Sequence, residues 1–191
     1  PRVALLAAGF NLDAWLASVA GPILTALLAR VGWPSDVMIP GGAEIHVRAS
    51  NRQQCGVNIN ADFVGMRSPL ARSASGRAYL AWCPEAERQR LLPICTTRSD
   101  EAALLRELEA TRARGYGLRD PALPPRVGAI AVPVRQEQNV ACCLTIVFLP
   151  GVEPSDRLAA RQPGPAQRGD AQALTTRRHD SGEPESVHAR T

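Results

Sequence analysis

Five cysteines are the residues of this chain best suited to covalent chemistry: Cys55, Cys83, Cys95, Cys142 and Cys143. Their number is odd and no pair has C-x-x-C spacing, so the sequence indicates neither a disulfide framework nor a zinc site. On a strand, the adjacent thiols of Cys142 and Cys143 would point to opposite faces. We interpret the cysteines as reduced packing residues. The alternative is a reactive thiol at Cys83, Cys142 or Cys143, in a redox sensor or a small-molecule enzyme.

The other ionisable side chains do not form a catalytic pattern. His46 is the only histidine in the part of the chain with hydrophobic periodicity, and its place between Ile45 and Val47 is typical of an exposed strand residue. Glu85 and Glu87 fall on a solvated helix face. The sequence contains no G-x-S-x-G, P-loop or G-x-G-x-x-G motif. We therefore predict that the chain is not an enzyme and binds no metal and no cofactor.

One loop has the composition of an anion-binding site. The stretch MRSPLARSASG, residues 66–76, combines small side chains with Arg67 and Arg72 and leads into a predicted helix. The first turn of a helix has unpaired backbone N–H groups that suit a carboxylate, and Ser73 and Ser75 add hydroxyl donors. In the alternative interpretation, these hydroxyls only cap the helix.

The bulk composition allows one domain to position these groups. The chain has 191 residues, of which 45% are hydrophobic and only 4% aromatic, so its core must be mainly aliphatic. The formal net charge of +4 is compatible with a DNA-associated protein but does not demonstrate one. Because no signal peptide and no membrane-spanning apolar run is present, we expect a cytoplasmic protein without membrane contact.

Hydrophobic periodicity predicts a helix followed by a β-hairpin in the first half. Asp13 caps the helix, whose apolar face consists of Leu16, Val19, Ala20, Ile23, Leu27 and Val31. The hairpin turns at Gly41 and Gly42. Residues 54–64 can supply a further short strand, and residues 65–75 are predicted to form a loop.

The second half alternates between helices and strands. GRAYLAWC is predicted to be helical, a second helix starts at Pro84, and a third is capped by Ser99 and ended by Gly115. The apolar runs RVGAIAVPVR and NVACCLTIVF predict two central strands joined by the polar connection RQEQN. Together the elements predict an α+β fold, an antiparallel or mixed sheet with helices packed on it, as in small-molecule sensor domains.

The two ends of the chain differ from this pattern. Residues 1–10 have the pattern of a short helical remnant or linker, and because the chain starts at Pro1 we expect it to be a piece of a longer protein. Residues 152–191 are rich in Pro, Gly, Asp, Arg and Ser and lack hydrophobic periodicity. We predict that they form a disordered tail, because they cannot bury enough apolar surface to offset the ordering entropy.

Three segments follow one another in a specific order. VGMRSPLARSASGRAYLAWCPEAERQRLL contains G-x-x-x-P-L, a few small residues and then G-R-A-x-L-A. TRARGYGLRD follows, and VGAIAVPVR with CCLTIVF supplies a closing strand pair. In this order the segments resemble the effector-binding domain of IclR-family transcriptional regulators, over residues 10–148. The resemblance implies a GAF- or profilin-like ligand-sensing domain, which we place at residues 11–151.

Four shorter segments are similar to one subgroup of that family. GF-x-x-D-A-W-L, VGWPSD, GRAYLAWCPE and GYGLRD resemble the MhpR-type regulators of aromatic acid catabolism. This resemblance implies a transcription factor that senses an aromatic or related carboxylic acid and controls catabolic genes. It implies operator DNA, RNA polymerase and further copies of the chain, in a homodimer or a dimer of dimers, as partners. DNA would be bound by an N-terminal winged helix-turn-helix domain absent from this sequence, with residues 1–10 as the remnant of its linker.

The resemblance also implies where the effector binds. The positions that contact small oxoacids in family members are Ala74, Ser75, Arg119, Ala129, Thr145 and Val147 here. Arg119 replaces an aspartate and Ala129 a cysteine of those members, which implies a larger, less acidic pocket. We predict that Arg119 pairs with the effector carboxylate, with Ser75 and Thr145 as hydrogen-bond donors. Four more residues complete the predicted site: Gly65, Arg67, Gly76 and Cys143.

The C-terminal segment departs from the family pattern. Family members usually end with a helix that follows the last strand and packs near the first helix. The segment LPGVEPSDRLAARQPGPAQ does not have the periodicity of such a helix. This departure leaves open what covers the first helix.

Overall fold

The computed structural model describes residues 18–56, 64–152, 157 and 160. The described helices are α1 (residues 18–31), α2 (Ala74–Trp82), α3 (Glu85–Cys95) and α4 (Arg98–Arg114). The strands are β1 (Ser35–Gly41), β2 (Glu44–Ser50), β3 (Arg67–Pro69), β4 (Gly117–Leu118), β5 (Gly128–Gln136) and β6 (Asn139–Phe148), and a 3-10 turn covers Arg52–Gln54. The predicted α+β class is confirmed.

The six described strands form one sheet in the order β3-β2-β1-β6-β5-β4, and every pairing is antiparallel. Both predicted hairpins are present, β1–β2 and β5–β6. Both strands of the predicted central pair are internal to the sheet, because β6 lies between β1 and β5, and β5 lies between β6 and β4. Register alone could not show that the first hairpin inserts next to the last strand.

Helix α2 lies across the sheet and contacts β5, β6 and β4 as well as α4. Its residues are buried almost all round, which fits a short helix of small and apolar side chains held between a sheet and a second helix. The buried side of α1 adds Ala20, Leu24, Leu27 and Val31 to the same core. Leu24 was absent from the predicted apolar face, yet only 1% of its surface is exposed.

Several predicted boundaries shift by one or two residues. The N-cap of α4 is Thr97 rather than the predicted Ser99, while Gly115 ends the helix in the left-handed conformation as predicted. Pro84 precedes α3 as its N-cap residue. The predicted loop at 65–75 contains β3, which pairs with β2 at the edge of the sheet.

Some predictions fall on residues that are not described. The cap at Asp13, residues 1–10 and most of the strand proposed within residues 54–64 lie outside the described ranges, although Gln54 belongs to the 3-10 turn. Most of the predicted tail, residues 152–191, is also outside them. Arg157 and Ala160, which are described, are helical and exposed.

Candidate functional site

A cavity of about 280 Å³ lies between one face of the sheet and the segments around the start of α2. The sheet forms one wall of the cavity, and the strand register explains which residues lie there. Asp36 on β1 pairs with Thr145 on β6, and Val147 on β6 pairs with Ala129 on β5. Because side chains alternate along a strand, Met38 follows Asp36 on the same face. The cavity is thus bounded by polar groups together with an apolar wall that includes Met38, Val47, Pro124, Val127, Ala129 and Val147.

The first turn of α2 is fixed by side-chain hydrogen bonds. The Ser73 hydroxyl accepts from the backbone N–H of Gly76, so this serine caps the helix. The Ser75 and Thr145 hydroxyls lie 2.6 Å apart, and the Ser75 hydroxyl also lies 2.8 Å from the Met38 sulfur. The capping interpretation therefore holds for Ser73, which lines the cavity together with Ser75. That this loop binds an anion stays a prediction.

Arg119 is a half-buried residue of the cavity lining. One terminal nitrogen, Nη2, donates to the carbonyls of Leu123 at 3.2 Å, Pro124 at 2.8 Å and Pro125 at 3.3 Å. The Nε–H is buried and has no hydrogen-bond partner among the described residues. Burial lowers the pKa of the guanidinium and nearby Arg52 lowers it further, whereas the Asp120 carboxylate acts in the opposite direction. A buried donor without a partner is costly unless a ligand satisfies it.

An ion pair not predicted from the sequence forms another part of the wall. Arg52 donates to Asp36 through Nε, at 3.0 and 3.2 Å, and through Nη2 at 2.6 Å. Asp36 is 1% exposed and Arg52 7% exposed, and the Ser50 hydroxyl donates to Asp36 Oδ1 at 2.8 Å. One signal was available, because Asp36 is a charged residue at the start of an otherwise apolar strand.

The structure brings most of the predicted site residues together. Seven line the cavity: Arg67, Ala74, Ser75, Arg119, Ala129, Thr145 and Val147. Three do not. Gly65 lies in the turn before β3 with φ of 89°, Gly76 faces the backbone of Leu70, and Cys143 lies under the helix with its thiol 3.4 Å from the Ser75 carbonyl. Whether the seven contact an effector stays a prediction.

Arg72 points away from the cavity that its loop helps to form. Its Nε donates to Asp120 Oδ2 at 2.9 Å, and its carbonyl accepts from the Asp120 backbone N–H. The hydrogen bond from Arg72 lowers the pKa of Asp120, and Arg77 lies 3.9 Å from the same carboxylate. This contact joins the loop before α2 to the segment that carries Arg119.

The thiols do not have the properties of a reactive site. Cys83, Cys142 and Cys143 are buried, and burial raises the pKa of Cys83 to about 11 and of Cys142 to about 12, and raises that of Cys143 as well. A reactive cysteine instead needs a lowered pKa and access to solvent. The alternative of a thiol-based sensor or enzyme is therefore not supported. Within the described ranges, no group of three or more His, Cys, Asp or Glu residues could hold a metal ion, and no helix could span a membrane.

Comparison with known proteins gives a consistent family assignment. Residues 13–160 match the family model described as bacterial transcriptional regulator IclR C-terminal. The chain is 30% identical over 176 residues to the "Probable transcriptional regulator SauR" of Cupriavidus necator, which covers 83% of this chain and 69% of that protein. These relatives are regulators of transcription and not enzymes.

Solved structures of similar regulators share the fold. A transcriptional regulator from Rhodococcus sp. RHA1 has a TM-score of 0.70 at 24% identity, covering 92% of this chain and 74% of that one. An IclR homolog from Microbacterium hydrocarbonoxydans, solved with 4-hydroxybenzoate, has a TM-score of 0.66 at 23% identity, covering 86% of this chain and 68% of that one. With the family match and the cavity, these findings show that the chain belongs to the IclR family, as the C-terminal effector-binding domain of a transcriptional regulator.

Proposed function

We propose that the cavity binds a small aromatic monocarboxylic acid and that binding regulates transcription of catabolic genes. The observation that carries this proposal is the Nε–H of Arg119, a residue of the cavity lining. This N–H is buried and has no partner among the described residues. A carboxylate would satisfy this donor through a charge-assisted hydrogen bond. Ser75 and Thr145, whose hydroxyls lie 2.6 Å apart, are residues of the same lining and would orient the ligand.

The apolar part of the wall favours a hydrophobic body on the acid. This part of the cavity lining consists of uncharged, apolar side chains, among them Met38, Val47, Val127 and Val147. A volume of about 280 Å³ is at the lower end for small-molecule sites, which fits a single-ring compound better than a large one. The 4-hydroxybenzoate in the Microbacterium homolog belongs to this chemical class.

In the whole protein, we propose that effector binding changes DNA affinity through the relative position of DNA-binding domains. An effector shifts such an equilibrium only by the difference between its affinities for the two arrangements. The operator contacts belong to an N-terminal winged helix-turn-helix domain, and the assembly is a homodimer or a dimer of dimers. Contact with RNA polymerase is part of the same proposal.

Thermal unfolding with matched ligands tests the carboxylate part. We expect 4-hydroxybenzoate and 3-phenylpropionate to raise the Tm, with about 2.7 kcal/mol of stabilisation at a hundredfold excess over Kd. The amide 4-hydroxybenzamide, which has the same shape without the charge, should give a much smaller shift. Equal shifts for acid and amide would contradict the proposal.

The variant Arg119→Gln assigns the effect to one residue. Glutamine keeps an N–H donor for the Leu123–Pro125 carbonyls but loses the positive charge. Loss of a charged hydrogen bond of about 1.5–3 kcal/mol predicts acid binding that is weaker by roughly tenfold or more. The control is Arg90→Gln on α3, because Arg90 is exposed and pairs with Glu87 outside the cavity.

A further inference from the structure

The charges on the cavity wall are not equivalent. Asp36, Arg52, Arg67 and Arg119 contribute to it. Arg67 is 66% exposed and lies 3.7 Å from Glu44, so solvent and this neighbour screen its charge. The three remaining groups are half-buried or buried, and they set the electrostatic potential that a ligand meets inside the cavity.

Asp36 neutralises Arg52, which is one of the two buried or half-buried arginines on the cavity wall. Arg52 contacts both carboxylate oxygens of Asp36 in a two-pronged arrangement, and both side chains are more than nine-tenths buried. Arg119 makes no ion pair within 4.0 Å in the part of the chain that is described. Arg119 therefore keeps a positive charge with no carboxylate in contact, although Asp120 acts on it at longer range. The same side chain carries the unpartnered Nε–H.

We propose that Asp36 restricts the effector to one negative charge, which makes it a specificity-determining residue of the cavity. This inference rests on the proposed function, since it assumes that the cavity binds an organic acid. A monoanion pairs with Arg119. The second carboxylate of a dianion would be repelled by the buried, negatively charged Asp36. It could not pair with Arg52, because Arg52 is already paired with Asp36.

Rearrangement of Arg52 toward the ligand would not remove this barrier. Turning the guanidinium away would leave the buried Asp36 carboxylate with only the Ser50 hydroxyl as a described partner. Leaving one member of a buried ion pair without its counter-ion is strongly unfavourable. The pair therefore holds Arg52 in place and keeps its charge compensated when the cavity is filled.

A matched pair of ligands measures this selectivity in the unmodified chain. Terephthalate differs from 4-hydroxybenzoate by a carboxylate in place of the hydroxyl, so the ring and the first carboxylate stay the same. In isothermal titration calorimetry with the 191-residue chain, we expect 4-hydroxybenzoate to bind at least about tenfold more tightly than terephthalate.

Variants then assign the selectivity to Asp36. Asp36→Asn keeps the shape and removes the negative charge that a second carboxylate would meet, so the preference for 4-hydroxybenzoate should fall by about tenfold. Asp36→Asn combined with Arg52→Gln removes both charges and should restore it. The control is Glu109→Gln on α4, which changes the net charge equally at an exposed position outside the cavity. Circular dichroism establishes that each variant is folded.

The possible outcomes separate this inference from the function on which it rests. If no aromatic acid binds the chain, the proposed function and the inference both fail. If 4-hydroxybenzoate binds but terephthalate binds equally well, or Asp36→Asn leaves the ratio unchanged, the inference alone fails. If Asp36→Asn does not fold, the comparison of terephthalate with 4-hydroxybenzoate in the unmodified chain carries the test, and equal affinities would refute the inference.

Discussion

Gly76 lies in the first turn of α2 with its Cα against the turn that precedes the helix. A Cβ at this position would lie 2.2 Å from the Leu70 carbonyl oxygen and 2.4 Å from the Leu70 Cα. These are backbone atoms and cannot rotate away as a side chain could. Gly76→Ala should therefore move the start of α2, which carries Ser75 on the cavity wall.

Two opposing effects set the magnitude of this change. Replacing a helical glycine with alanine stabilises a protein by about 1 kcal/mol when space is available. At Gly76 the backbone of Leu70 would have to move by more than about 1 Å to reach ordinary contact, and overpacking of this kind costs about 1–3 kcal/mol. Because three backbone atoms of Leu70 would lie within 2.6 Å of the new Cβ, the upper end of this cost applies. We expect a net loss in the free energy of unfolding of about 2 kcal/mol and a Tm lower by several degrees.

Gly21 provides a control with the same substitution and the opposite sign. It lies in α1, and a Cβ there would meet no described atom within 4 Å. Gly21→Ala should raise the Tm by roughly 2–4 °C. Urea unfolding followed by circular dichroism measures both variants. If Gly76→Ala also raised the stability, the close approach of α2 to Leu70 would be refuted.

Further predictions concern the ion pairs and the thiols. Asp120→Asn should lower the free energy of unfolding by about 1 kcal/mol, because Arg72 loses a partly buried charged partner; an unchanged urea midpoint would contradict this. Iodoacetamide at pH 7.5 should label the half-buried Cys55 well before Cys142 and Cys143, and rapid labelling of either buried thiol in the folded chain would oppose the packing account. Burial holds the pKa of Cys142 at about 12, so above about pH 9 the unfolded chain releases protons that the folded chain retains. Stability should therefore fall as the pH rises from 9 to 11, and a constant Tm over that range would show that this thiol ionises equally in both states.

The parts of the fold that periodicity determines were predictable from the sequence. The first hairpin was found from its alternating residues and its glycine turn, and the last two strands from long apolar runs. The position of β1 beside β6 could not be predicted from the sequence, because pairing between strands that are distant in the chain leaves no local pattern. The three-residue strand β3 was missed because it is too short for periodicity to appear.

The candidate site shows the same division between local and long-range information. Ser75 and Thr145 are 70 positions apart, and only the family resemblance placed them together. The Asp36–Arg52 ion pair was not predicted from the sequence. Asp36 lies on β1 and Arg52 lies on the 3-10 turn after β2, so their spacing corresponds to no motif. Gly76 was expected near the effector, but its small size serves close packing against Leu70 instead.

A crystal structure of the chain with 4-hydroxybenzoate would show whether Arg119 holds the effector carboxylate. We expect the carboxylate in the cavity, with one oxygen about 2.7–2.9 Å from Arg119 Nε and the ring against Val127 and Val147. We also expect the Asp36–Arg52 pair to stay intact. A ligand bound elsewhere, or bound in the cavity with its carboxylate away from Arg119, would contradict the account.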